Sequence, residues 1–133
     1  MSSATLAPLF RAYADLWQCM SASCASEYGE SVAARRSGDP ERKGAARLES
    51  RQCISRHCRT ALRGTLQALL AHVEAELAEH KRRGGEPLKG LESTAADLRK
   101  LVARRDRSWS SPAAAELVAS MYAHLTLGTS VFV

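Results

Sequence analysis

Cys19-Met-Ser-Ala-Ser-Cys24, then Ser37-Gly-Asp-Pro40, then Cys53-Ile-Ser-Arg-His-Cys58: these three short stretches decide the fold. Gly, Asp and Pro together mark a turn, and a Cys-x4-Cys pair lies on each side of it. The two pairs are symmetric about the point between Gly38 and Asp39. In an antiparallel hairpin, residues equally far from the turn lie opposite each other. Cys24 is therefore expected to face Cys53, and Cys19 to face Cys58.

The flanking sequence supplies the two arms. Leu6, Leu9, Phe10, Tyr13, Leu16, Trp17, Met20, Cys24, Tyr28 and Val32 recur mostly at steps of three and four, the stripe of an amphipathic helix over about 6–36. The segment 37–44 breaks this period and reads as the hairpin turn. A second stripe, Leu48, Ile54, Cys58, Leu62, Leu66, Leu69, Val73 and Leu77, predicts a helix over about 45–82, close to 60 Å long at 1.5 Å per residue. Arg82-Arg83-Gly84-Gly85 closes it, with cations and then glycines at the C-terminus.

Two shorter helices follow the linker at 83–87. Pro87 is positioned to start one over about 87–107, with Leu88, Leu91, Ala95, Leu98, Leu101 and Val102 on one side. Ser111 as cap and Pro112 in the first turn predict the other over about 112–126, with Leu117, Val118, Met121 and Leu125 as its apolar face. No stretch alternates with period two. The 133 residues read as one all-α domain: a long antiparallel helical hairpin, two shorter helices and an apolar tail at 127–133. With aromatics at 5%, the core must be built from aliphatic side chains, and little stacking surface remains for single-stranded nucleic acid.

The cysteine spacing carries a geometric cost. Five residues of α-helix turn through about 500°, leaving the two sulfurs of a pair about 140° apart. Cys24 and Cys58 fall on the apolar stripes and Cys19 and Cys53 fall off them, so bridging needs helix rotation or local unwinding. Three chemistries fit the four residues. They are two rungs of disulfide, four reduced and partly buried thiols, or zinc held by four thiolates or by three thiolates and His57.

The symmetric pairs about a turn resemble the twin Cys-x(n)-Cys proteins of the mitochondrial intermembrane space, which include the coiled-coil-helix-coiled-coil-helix group. The likeness covers residues 16–60, and the spacing of four differs from that group's usual one. It implies a hairpin clamped by the disulfides Cys19–Cys58 and Cys24–Cys53; separately from the resemblance, no metal site and no cofactor are expected. The likeness further implies a small structural or assembly subunit of a respiratory-chain complex, peripheral to the inner membrane. The N-terminus lacks the basic start and long apolar run of a secretory signal, so import by an internal signal is the expectation.

The net charge of +5 is concentrated: residues 35–63 hold nine bases against three acids. Arg35, Arg36, Arg47, Arg51, Arg56, Arg59 and Arg63 are candidates to meet an acidic protein surface or anionic lipid. Trp17 and Trp109 are candidate anchors for a protein partner. A soluble helical adaptor using the same basic segment on nucleic acid is the alternative, with affinity that falls steeply in salt. His72, Glu76 and His80 lie at steps of four, beside Glu74 and Glu79, and read as a hydrated acidic face. The uncharged stretch 117–133 reads as a packed helix and tail rather than a membrane span. No phosphate loop and no nucleophile–base arrangement is present, so neither an enzyme activity nor a small-molecule substrate is expected.

Overall fold

A computed structural model describes residues 3–126, and within them every regular element is helical. The order is α1 (Ser3–Ser23), α2 (Ala25–Ser37), α3 (Pro40–His57), α4 (Arg59–Arg82), α5 (Lys89–Ala103) and α6 (Pro112–Thr126). A 3-10 turn, Ser108–Ser110, precedes α6. The chain folds back on itself so that α2 packs on α3 and α1 on α4. Helix α5 then lies on α4, and α6 covers α3 and part of α4. No described helix is long and apolar enough to cross a membrane, and the tail at 127–133 lies outside the described residues.

Each arm of the hairpin is two helices rather than one. The first breaks at Cys24 and the second at Cys58, both near φ −120° with ψ about +30° instead of the helical −42°. The break is a kink, because hydrogen bonds continue across it. Cys24 N–H donates to the Met20 carbonyl at 2.7 Å, and Cys58 N–H donates to the Ile54 carbonyl at 2.9 Å. The sulfur geometry described below is the reason for it.

The turn is tighter than the expected 37–44. Gly38 stands at φ +72°, capping α2 by donating its N–H to the Arg35 carbonyl. Asp39 immediately caps α3, its carboxylate accepting from Glu41 N–H at 3.0 Å, and Pro40 fills the first helical position. Lys43 and Gly44 are therefore helical. The expected third helix is also shorter at both ends. Pro87 precedes it by two residues, with Leu88 as cap. Arg104 turns extended after Ala103, and the Asp106 carboxylate then accepts from Ser108 N–H to set the 3-10 turn. Ser111 caps α6 as its sequence predicts, accepting from Ala114 N–H at 3.2 Å.

The core lies between α1, α4, α5 and α6. Leu9 on α1, Leu62, Leu66, Leu69 and Val73 on α4 and Leu98 on α5 are wholly buried, with Val118 of α6 beside them. Each such side chain contributes on the order of 1.5–3 kcal/mol by leaving water, and Leu, Val and Ala pack without aromatic bulk. The hairpin near its turn is thinner. The residues that α2 and α3 bury are Ala34, Ala46, Ser50, Cys53, Ile54 and Ser55, mostly small. Leu48 is 52% exposed, against its place on the predicted stripe, because six residues of helix turn it about 120° away from Ile54 and off the face that buries Ala46, Ser50 and Cys53.

Gly38 and Gly44 separate the observed turn from the wider one expected. Gly38→Ala forces a Cβ into the left-handed region and should lower stability by about 1 kcal/mol. Gly44→Ala, with open space around its Cβ inside α3, should raise it by about 0.5–1 kcal/mol. Urea midpoints of the two variants against the parent check both signs.

Candidate functional site

The kinks aim the sulfurs. In an unbroken helix the two cysteines of each pair would point about 140° apart. One non-helical residue per arm resets that direction, and each facing pair contains one kinked and one helical cysteine. Cys24 and Cys53 are joined as a disulfide with 6.0 Å between Cα atoms, within the usual span. Both residues are buried.

Cys19 and Cys58 also face each other, as the symmetry about the turn requires. The Cys19 and Cys58 sulfurs lie 2.6 Å apart, and Cys19 Sγ also approaches the His57 carbonyl at 3.7 Å. The two are not bonded. Burial pushes the Cys58 thiol up to about 12, and its hydrogen bond to Cys19 adds to the effect. Cys19 is partly exposed and opens on a cavity of about 600 Å³ edged by Asp15, Arg56, His57 and Arg59. Of the outer pair, Cys19 is the sulfur that solvent reaches and Cys58 is the one held in the protein.

The zinc arrangement is not formed. Cys24 and Cys53 are bonded to each other and so offer no thiolates, although Glu27 places a carboxylate oxygen within 4.8 Å of both sulfurs. His57 is exposed. His72 departs from the hydrated face expected for it: it is buried, and its Nδ1 lies 3.0 Å from Thr5 Oγ1. That burial lowers its pKa, and the Glu76 carboxylate opposes the change. The α1–α4 packing has taken His72 inside, while Glu74 stays exposed and Glu76 and His80 are half-buried.

The basic segment is divided among four surroundings. Arg35 and Arg36 are exposed at the end of α2, and Arg42 pairs with Glu30 across the turn at 2.8 Å. Arg47 and Arg51 both bind the Glu116 carboxylate of α6, Arg51 through Nε at 3.0 Å. Arg56 and Arg59 are exposed beside Cys19. Arg63 is withdrawn from the surface, its guanidinium 5.1 Å above the Trp109 ring and donating to the Val102 carbonyl. Trp109 is itself in the core, so neither residue is free to anchor a partner, contrary to expectation. Trp17 is 54% exposed and meets Tyr28 edge to face at 5.8 Å.

Glu116 is the residue that sequence reasoning missed. Arg47 and Arg51 share one face of α3 at a spacing of four, which calls for an acid opposite, but nothing local says which acid answers. The hydrogen bond from Arg47 holds the Glu116 carboxyl well down, at about 2, with Arg51 assisting against the cost of burial. This fork fastens α6 over the thin half of the hairpin. No family model, no curated protein and no solved structure matches this chain.

The fork has a pH signature. A carboxyl held near 2 in the folded chain and near 4.5 in the unfolded one stabilises the fold above pH 5. That contribution is lost as pH falls through the interval down to 2. Glu116 is a third exposed, so solvent screening limits the contribution to about 1 kcal/mol. Glu116→Gln should lower stability by that amount at pH 7 and flatten the stability–pH curve between pH 5 and pH 2, read by urea denaturation at each pH.

Proposed function

We propose that this protein is a non-catalytic structural or assembly subunit of a mitochondrial inner-membrane complex of the respiratory chain. In this reading it is held on the intermembrane-space side by two hairpin disulfides. The observation that carries the reading is the Cys24–Cys53 bond across the helical hairpin, with the Cys19 and Cys58 sulfurs adjacent and in register. Disulfides persist in oxidising compartments, and the symmetric pairs about a turn are what resemble the intermembrane-space proteins. Thiol–disulfide exchange with an external disulfide, which is reduced to two thiols as Cys19 and Cys58 join, adds the second rung.

Protein partners are favoured over nucleic acid by the side chains left outside the core. Phe10 and Trp17, seven residues apart on one face of α1, are 40% and 54% exposed. Arg42, Arg47, Arg51 and Arg63 are already engaged within the chain, which breaks the continuous cationic track that phosphates need. Arg35, Arg36, Arg56 and Arg59 remain as contacts for an acidic protein surface or anionic lipid headgroups.

Alkylation of the protein in acid-quenched cells tests the compartment and the clamp together. No free thiol is expected among the four cysteines, and mitoplasts should expose the protein to added protease. Four free thiols, or a cytosolic fraction, would sink the reading. Purification under non-reducing conditions should bring respiratory-complex subunits with it, and Trp17→Ala should weaken that association without altering the isolated fold. Closure of the 29-residue separation between Cys24 and Cys53 stabilises by about 3.6 kcal/mol on the chain-entropy account. Cys24→Ser should therefore destabilise severely, with the Cys24→Ser/Cys53→Ser double variant no worse than either single variant.

A further inference from the structure

A slot of about 540 Å³ lies between the α1–α2 arm, α3 and α6. Its volume falls within the range of small-molecule sites. Its floor is apolar, with Leu16 of α1, Ile54 of α3 and Val118 of α6. Trp17 and Tyr28 form one wall through their edge-to-face contact. Arg35, Lys43, Arg47 and Arg51 line it too, and no Asp or Glu does.

The charge is distributed along the slot in order. Arg35 lies three residues before Gly38 and Lys43 five residues after it, so both mark the end near the hairpin turn. Leu16 and Ile54 mark the other end. From Lys43 to Ile54 the slot follows α3 for about 16 Å at 1.5 Å per residue. Glu116 neutralises part of the charge of Arg47 and Arg51. Arg35 and Lys43 have no ion pair among the described residues. An apolar slot whose two cations without such a pair, Arg35 and Lys43, lie at the turn end complements one kind of ligand.

We propose that this slot binds a single-chain anionic amphiphile, an unbranched long-chain carboxylate. Its headgroup meets Arg35 and Lys43 and its chain runs along α3 to Leu16 and Ile54. The apolar wall and floor gain by burying methylenes, and the two cations gain by charge-assisted hydrogen bonds to the carboxylate. The proposal does not depend on the compartment or on the assembly role argued above.

Calorimetric titration of the full oxidised chain with dodecanoate, below its micelle concentration, tests the site. One dodecanoate per chain is expected, with affinity falling about fourfold for each methylene removed. Arg35→Gln/Lys43→Gln should weaken binding about tenfold, the equivalent of one charge-assisted contact, and dodecanol should bind more weakly by a similar factor. Ala119→Trp fills the slot from α6 and should abolish binding while helicity by circular dichroism is retained. Absence of saturable binding overturns the proposal, as does equal affinity for dodecanol and dodecanoate. Binding seen only after removal of residues 127–133 overturns it by making the tail the occupant. Binding of an acidic amphipathic peptide, or of phosphatidylglycerol vesicles, without binding of dodecanoate overturns it in favour of a protein or membrane surface.

Discussion

The bond between Cys24 and Cys53 stands where the packing of the hairpin changes character. On one side of it α1 and α4 meet through Leu9, Leu62, Leu66, Leu69 and Val73, all wholly buried, and hydrophobic burial dominates there, with Thr5–His72 and Thr65–Ala12 hydrogen bonds beside it. On the other side α2 and α3 meet through Ala34, Ala46 and Ser50, which bury little apolar area. A hairpin tip of that composition has small hydrophobic gain to set against the entropy of ordering two helices. A covalent link at the boundary restricts the unfolded chain and needs no apolar area at all. The tip is ordered because the bond and the leucine layer fix its base, while Gly38 and Asp39 fix its end.

The same thinness has two further consequences. Small buried residues let α2 and α3 approach closely, but they leave space beside the arm where α1, α3 and α6 diverge, and that space is the apolar slot. Helix α6 reaches this half of the hairpin by an ionic fork, Arg47 and Arg51 onto Glu116, because α3 offers few apolar residues there. A charged fork on one side and a disulfide on the other perform the work that side-chain packing performs in the α1–α4 half. Acid and reductant are therefore expected to act on different contacts of the same half of the molecule.

Much of this was legible in the sequence, for identifiable reasons. Apolar period and turn chemistry are local, so Leu62, Leu66, Leu69 and Val73 could be placed on the core face and Gly38 at the turn. The facing of Cys24 with Cys53 followed from symmetry about that turn, which needs no knowledge of the fold beyond antiparallel arms. The kinks were foreshadowed by a conflict between the five-residue spacing and helical rotation, but their positions are tertiary. Each falls on the cysteine of the apolar stripe because that residue is pinned to the core and must turn its sulfur by its backbone. Leu48, His72, Trp109 and Glu116 were not legible. Their surroundings are set by helices distant in sequence, and periodicity within one helix cannot say which neighbour covers which face.

The two pairs of sulfurs differ in what reaches them. Cys24 and Cys53 are buried where α1 gives way to α2 against α3, with the Glu27 carboxylate within 4.8 Å and the Ser23 carbonyl 3.6 Å from Cys53 Sγ. Cys19 faces a cavity rimmed by Asp15, Arg56, His57 and Arg59. An attacking thiolate needs access to a sulfur, and Cys19 provides it. In the proposed oxidised form the outer rung is thus the first to exchange, with Cys58 as the leaving sulfur. A buried thiol pushed up to about 12 is a poor leaving group, so the attack that chemistry allows is slow and readily reversed. The hairpin is then protected twice, by burial of the inner bond and by the reluctance of Cys58 to depart from the outer one.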